Sequence, residues 1–479
     1  MNFVSVQFIA FAFATVVLYH ISRSRRAKQF VLALSTSYFI TTYTNGPASA
    51  VPLLLFLLVG FVLICAARES RDKTSLFVSV SVLLAAFVYL KQFFFLKCVG
   101  LPFIYTTVGL SYILFRIIGL LVEVSNGEIK SKPSLLEYYL YTCNFLCFLS
   151  GPVQRWEEFR DEQRAIKEPI SDREVMDALS RMALGFVKLA VIAGAFDYVF
   201  QNLSVQFISE PVQVDWLKFV FLYTASAAAY TGYLYYNFSG YMDIVIGLGR
   251  MMQIDVPENF NKPFTSKSFL EFWQRWHMTM SQWFKSYLFT PLMISLMKRF
   301  PSSKASAYVG LSAFFVTFLV MGIWHGSTLV FVVYGLLMAL GACANKIWQL
   351  TLPRFIGKPS YKALQKNVLY GQACAGLTFS FFTLALTCLW INEIGQLFAL
   401  TARLGPTGVA IALSSLAALF AIGASIARAL GGAFAKVPFG GTIVSGTTFA
   451  AVRCALAFLS VLFVSSMLTK APEFVYKAF

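Results

Sequence analysis

Apolar runs of roughly 17 to 22 residues recur along almost the whole chain, each long enough to cross a hydrocarbon layer of about 30 Å as an α-helix. Candidate spans fall at 2–20, 30–44, 51–67, 75–96, 103–123, 135–154, 179–201, 215–236, 240–252, 307–324, 326–350, 371–391, 407–426 and 448–468. Pieces such as 240–252 are too short to cross and fit half-spanning or re-entrant helices. The pattern predicts an all-α polytopic membrane protein with about eleven to thirteen crossings.

The polar interruptions carry the orientation and the chemistry. Loops 21–29 and 68–73 (Arg68, Arg71, Asp72, Lys73) are charged, while 44–50 between them has no charge. This alternation places the basic loops in the cytoplasm and the N-terminus outside. Phe3 to Tyr19 reads as a first helix and not as a secretion signal, because Arg23, Arg25, Arg26 and Lys28 follow the apolar run instead of preceding it. Arg155–Asp177 holds eight of the 22 acids and reads as a surface helix or loop; Arg354–Lys366 reads as a second cytoplasmic basic segment. From Phe269, apolar side chains recur at Phe272, Trp273, Trp276, Met280, Trp283, Phe284 and Tyr287, which predicts one amphipathic helix capped by Ser266 or Ser268. Glu271 and Arg275 stand on its polar side as an i, i+4 pair. A tryptophan-rich helix of this kind lies at the interface or dips into the protein.

Composition sharpens the class. The chain of 479 residues is 58% hydrophobic and only 13% charged, roughly half the charge of an ordinary soluble domain. Its net charge of +17 sits in loops between apolar runs, where membrane lipids with anionic headgroups account for it; no nucleic-acid partner is expected. The eight cysteines lie mostly inside apolar runs and behave there as small hydrophobes. Cys143 and Cys147 are spaced to share a helix face, yet two thiols do not make a metal site, and no metal is expected.

Only three histidines exist: His20, His277 and His325. Imidazole is the side chain best suited to proton transfer near neutral pH. His20 ends the first span and reads as an interfacial residue. His325 lies between apolar runs in Met321-Gly322-Ile323-Trp324-His325-Gly326-Ser327, and an ionisable group at membrane depth is a functional candidate by default. A neutral histidine bonded to a neighbouring helix is the structural reading. Gly322 and Gly326 leave room beside it for backbone or substrate. His277 lies on the amphipathic segment facing a groove edge, and the residues alone favour a structural hydrogen bond that ties this segment to the core. Asp243 and Arg250 are candidate internal polar partners of each other. Asn202-Leu203-Ser204 and Asn237-Phe238-Ser239 match the short glycosylation pattern. No dinucleotide fingerprint, phosphate loop, HExxH or Gly-x-Ser-x-Gly occurs.

Four strings occur in order over about 180 residues. They are Ser150-Gly151-Pro152-Val153-Gln154-Arg155-Trp156; Asn237-Phe238-Ser239-Gly240-Tyr241-Met242-Asp243; Pro257-Glu258-Asn259-Phe260-Asn261-Lys262-Pro263-Phe264 with Glu271-Phe272-Trp273-Gln274-Arg275-Trp276-His277 and Ser281-Gln282-Trp283-Phe284; and Gly322-Ile323-Trp324-His325-Gly326. The chain resembles the membrane-bound O-acyltransferases, in the bacterial branch of the alginate O-acetylation membrane subunit and the teichoic-acid D-alanyl transfer protein. The resemblance implies a ring of tilted helices with re-entrant and interfacial pieces around a central tunnel. It implies one membrane domain over 1–479, with N-terminal helices in 1–100, the signature-bearing core in 101–350 and C-terminal helices in 351–479. It also implies His325 as the catalytic histidine, His277 as the second histidine, and Trp324, Trp276, Trp273, Asn259, Arg275, Asp243 and Ser281 along the substrate tunnel.

The function so implied is transfer of an acyl group, acetyl first, from a cytoplasmic thioester to hydroxyls of an exported polysaccharide. The setting would be the bacterial inner membrane, with acetyl-CoA as donor, no bound cofactor, and a secreted or membrane-anchored acyltransferase as partner. Thr290-Pro291-Leu292-Met293-Ile294, where alginate-type relatives carry a glycine pair, resembles the D-alanyl branch and keeps a carrier-protein thioester open. A transporter of polysaccharide or lipid intermediates is the alternative from a different class; it calls for paired halves with broken helices, and none is visible. A eukaryotic-type lipid or protein acyltransferase is a third reading, weakened by the polysaccharide-branch strings.

Overall fold

The computed structural model describes residues 3, 5–436 and 455, except 71, 97–99, 101–104, 106, 130, 166, 167, 209–214, 303 and 304. The described residues form helices and no strand, with one isolated antiparallel bridge between Phe260 and Trp276. Seven helices among them are long and apolar enough to cross a membrane: Pro47–Ser70, Lys73–Leu90, Asp172–Gln206, Ala305–Trp324, Leu329–Ile356, Val368–Trp390 and Ile394–Ile426, with the shorter apolar Val6–Ile21 beside them. This is a multi-pass all-α membrane protein. Its helices expose large apolar side chains as well as burying them, Phe13 at 70% and Phe77 at 72% among them, as lipid contact requires.

Two of the predicted spans are not separate full-length helices among the described residues. The stretches 215–236 and 240–252 belong to one 36-residue helix, Trp216–Met251. The 135–154 run is a nine-residue helix, Leu135–Cys143, followed by non-helical chain. Cys147 therefore lies beyond the helix that Cys143 ends, and the expected shared face does not form. The 448–468 span lies outside the described residues apart from Ala455.

Local chemistry sets the helix starts. Asp72 accepts from the Thr74 and Ser75 amides, Ser134 with Glu137 and Ser171 with Glu174 make reciprocal capping boxes, and Asn367 caps Val368–Ala385. Each satisfies amides that the first helical turn leaves without intrahelical partners. Gly405, at φ +60°, and Pro406 bend the Ile394–Lys436 helix.

The chain divides into two compact units. The first contains the residues up to Ile192 with Tyr236–Glu258. Its core is organised by Arg116, 1% exposed, which donates to the carbonyls of Thr142 (2.9 Å), Cys147 (2.7 Å) and Pro152 (3.0 Å). The Tyr241 hydroxyl donates to the carbonyls of Leu146 and Gly151. The Ser150–Trp156 string is thus held as scaffold, because a buried guanidinium needs several acceptors to offset its desolvation. Arg155–Asp177 contains the helix Trp156–Arg164 and the start of Asp172–Phe186, and Arg155 pairs with Glu123 at 2.7 Å. His20 bonds the Met251 carbonyl at 2.7 Å, in keeping with a structural role.

The second unit contains Ala193–Tyr235 and Asn259–Ile443. Its central feature is the hairpin of Ala305–Trp324 and Leu329–Ile356. A side chain on Gly335 would meet the Leu319 carbonyl oxygen at 2.5 Å and Gly322 Cα at 3.3 Å, so the two helices touch backbone to backbone. Of the two occupants expected beside Gly322, backbone or substrate, it is backbone, that of Gly335, that lies against it, and the Phe331 ring lies against Gly326.

Candidate active site

The segment from Asn259 to Phe289 is not one amphipathic helix. Ser268 caps a short helix, Phe269–Trp273, by accepting from the Glu271 amide, and Glu271 pairs with Arg275 at 3.1 Å. The chain then breaks, and a second helix runs over Met278–Phe284, followed by a π turn at Lys285–Phe289. His277 occupies the break in the left-handed region, φ 45° and ψ 53°. Such a conformation costs a non-glycine residue on the order of 1–3 kcal/mol and persists where its surroundings hold it. The hold comes from 259–261: Asn261 N–H donates to the Arg275 carbonyl at 2.9 Å, and Met278 N–H donates to the Asn259 carbonyl at 3.0 Å.

Both faces of this bracket are aromatic. Phe272 lies 4.5 Å and Trp276 5.4 Å, centroid to centroid, from Phe382, while Tyr235 meets Phe260, Phe264 and Trp276. Trp273 packs on Phe318 at 5.5 Å, one of the residues of the helix that ends at Trp324. Trp273 Nε1 is buried with no hydrogen-bond partner among the described residues.

His277 is fully buried, and not at the edge of a groove as its place on an amphipathic helix suggested; Asn259 is fully buried too. His277 Nδ1 lies 3.4 Å from Asn259 Oδ1. His325, 3% exposed, stands in the turn between the two hairpin helices, its amide donating to the Gly322 carbonyl at 3.1 Å. Its ring lies 4.9 Å from Trp324 and 5.4 Å, edge-on, from Tyr334. Both histidines lie outside the spanning helices. Burial pushes each imidazole below its ordinary pKa, His277 strongly so, and His325 is near enough to add to the cost of charging His277. A neutral imidazole can take a proton from a substrate hydroxyl where an imidazolium could not.

Most of the predicted residues share this unit: Asn259, Trp273, Arg275, Trp276, His277, Ser281, Trp324 and His325. Arg275 keeps its side chain a third exposed on Glu271, and Ser281 bonds the Trp276 carbonyl at 3.3 Å. Asp243 belongs to the other unit, where it pairs with Lys188 (2.6 Å) and Arg181 Nε (3.1 Å), while the two terminal guanidinium nitrogens of Arg181 donate to Glu258. Its expected partner Arg250 instead approaches Glu258 at 4.0 Å. Sequence reading missed Thr279 and Tyr334, which hold Asn259 and face His325; neither carries a spacing signal. Asn237 is fully buried and closed to glycosylation in the folded protein.

A family model, MBOAT, membrane-bound O-acyltransferase family, matches residues 37–370. The chain belongs to the membrane-bound O-acyltransferase family. It is 27% identical over 372 residues to the teichoic acid D-alanyltransferase of Streptococcus thermophilus, covering 74% of this chain and 86% of that protein. It is 32% identical over 243 residues to the teichoic acid D-alanyltransferase of Bacillus subtilis, covering 50% of this chain and 58% of the relative. With the probable alginate O-acetylase of Pseudomonas fluorescens it shares 30% identity over 246 residues, 50% of this chain and 46% of that one. The latter two alignments thus span about half of each relative. Membership in the membrane-bound O-acyltransferases makes the protein an acyltransferase, and both His277 and His325 lie within the matched residues.

Proposed function

We propose that the protein moves an acyl group from a cytoplasmic thioester across the bacterial inner membrane to hydroxyls of an exported cell-surface polysaccharide. Acetyl-CoA is the proposed donor, and a secreted or membrane-anchored acyltransferase completes delivery to the polymer. The observation that carries this reading is two buried imidazoles, His277 and His325, in one compact unit of a chain of this family.

The chemistry follows from the acceptor. A sugar hydroxyl is a weak nucleophile at neutral pH, so a base must take its proton as the oxygen attacks the thioester carbonyl. His325 fills that role: the new C–O bond forms, the C–S bond breaks, and the imidazolium returns its proton to the departing thiolate. His277 orients the donor or helps hold the oxyanion that develops on the carbonyl. A tunnel open to donor on one side and acceptor on the other is required, because acetyl-CoA is cytoplasmic and the polymer is not.

D-alanyl transfer from a carrier-protein thioester is the second reading. It is favoured by coverage of 86% of the streptococcal D-alanyltransferase and by the glycine-free Thr290–Ile294 continuation. Purified protein in proteoliposomes, given radiolabelled acetyl-CoA or a D-alanylated carrier protein, separates the two. Label reaching a polysaccharide acceptor from acetyl-CoA alone supports the first, and label from the carrier alone supports the second. Passage of a polysaccharide or lipid intermediate without covalent transfer would overturn both in favour of a transporter.

A further inference from the structure

Asn259 and His277 together fix a proton that no hydrogen position needs to be seen to locate. The backbone N–H of Thr279 lies 3.0 Å from Asn259 Oδ1, and Thr279 Oγ1–H donates to the same atom at 2.8 Å. A backbone N–H can only donate, so the atom it meets is the amide oxygen and the amide orientation is decided. That oxygen is the atom 3.4 Å from His277 Nδ1. A lone pair on Nδ1 would face the lone pairs of the oxygen, whereas a proton there donates to it. The main chain around both partners is fixed: Met278 N–H holds the Asn259 carbonyl, Asn261 N–H holds the Arg275 carbonyl, and His277 sits in a left-handed turn between them.

We propose that Asn259 is a positioning residue that holds His277 as the Nδ1–H tautomer, so that Nε2 carries the lone pair. Its consequence rests on the acyl-transfer reading above. His277 then meets substrate as an acceptor at Nε2, receiving a hydrogen bond from the acceptor hydroxyl or from an N–H of the donor, while the oxyanion is held by other donors. Of the two roles open to His277, orientation is selected. Asn259, expected along the substrate tunnel, acts instead through the imidazole beside it.

The chain has three histidines, so 15N-histidine labelling of the full-length protein in nanodiscs gives three ring systems, and His277→Ala identifies the one in question. The expected spectrum at neutral pH has the ring proton on Nδ1 and a lone-pair nitrogen at Nε2. Asn259→Asp, which keeps an acceptor in place, keeps the proton on Nδ1; Asn259→Leu loses that preference and lowers turnover on the order of tenfold or more, as a wrong tautomer does elsewhere. A wild-type ring protonated on Nε2, or on both nitrogens, overturns the proposal. So does a folded Asn259→Leu protein that still shows Nδ1–H. Should Asn259→Leu fail to fold, the wild-type and Asn259→Asp spectra decide alone. The spectra need no substrate, so this proposal can fail while acyl transfer stands, and the reverse.

Discussion

Replacing Gly335 by alanine tests whether the hairpin that carries His325 depends on direct backbone contact. The added methyl would lie 2.5 Å from the Leu319 carbonyl oxygen and 3.3 Å from Gly322 Cα. Ordinary close C···O approaches begin near 3.3 Å, so the helices Ala305–Trp324 and Leu329–Ile356 must part by about 0.8 Å, a gap that no rotamer can absorb because both obstacles are backbone. Overpacking of this kind costs about 1–3 kcal/mol. The displacement also passes into the turn that holds His325, and a misplacement approaching 1 Å costs on the order of 100-fold in rate. Gly423→Ala is the control, since a methyl there meets nothing within 4 Å. Thermal unfolding in detergent and thioester turnover in proteoliposomes measure the two effects. Gly335→Ala should lower both, while Gly423→Ala leaves both near wild type. A Gly335→Ala protein with wild-type melting and turnover would refute the close-contact argument.

Other predictions follow from the same contacts. Asp243→Ala leaves Lys188 and Arg181, both mostly buried on it, without their shared counter-ion; the first unit should lose roughly 3 kcal/mol or more, read by melting or limited proteolysis, whereas unchanged melting would make the cluster ornamental. Ser268→Ala removes the cap on Phe269–Trp273 and should cost about 1 kcal/mol; an unchanged melting temperature would contradict the capping role. Because burial lowers the pKa of His325, the base stays neutral as pH falls through about 6.5, so turnover should hold level there and decline only in more acid solution. The same shift works on stability in the opposite sense from a stabilised cation: below about 6.5 the unfolded chain binds protons that the buried imidazoles do not, so stability falls with pH. Turnover halving near pH 6.5 would mean that His325 sits in ordinary solvent.

How far the sequence carried can be judged at single residues. Period and length sufficed for the helical membrane fold, and short-range chemistry sufficed for the Ser268 cap and the Glu271–Arg275 pair, because both partners of each lie within one helical turn. The break at His277 was hidden. Its helical spacing of apolar residues is real, yet Met278 and Thr279 give their amides to Asn259, about twenty residues upstream, and long-range competition of this kind leaves no mark on periodicity. Asp243 is paired inside the protein as expected, but its partners were hidden for the same reason: Lys188 and Arg181 lie 55 and 62 positions away, while Arg250 is near only along the helix. Gly322 left backbone and substrate equally open, because a lone glycine does not reveal which of the two comes close to it; here the backbone of Gly335 does.

The most direct test of the proposed chemistry is thioester turnover by His325→Ala, measured with labelled donor in proteoliposomes beside wild-type protein matched for insertion and melting temperature. The proposal predicts transfer at background level from a normally folded protein. Wild-type turnover by that variant would remove His325 from the reaction and with it the mechanism built on the imidazole pair.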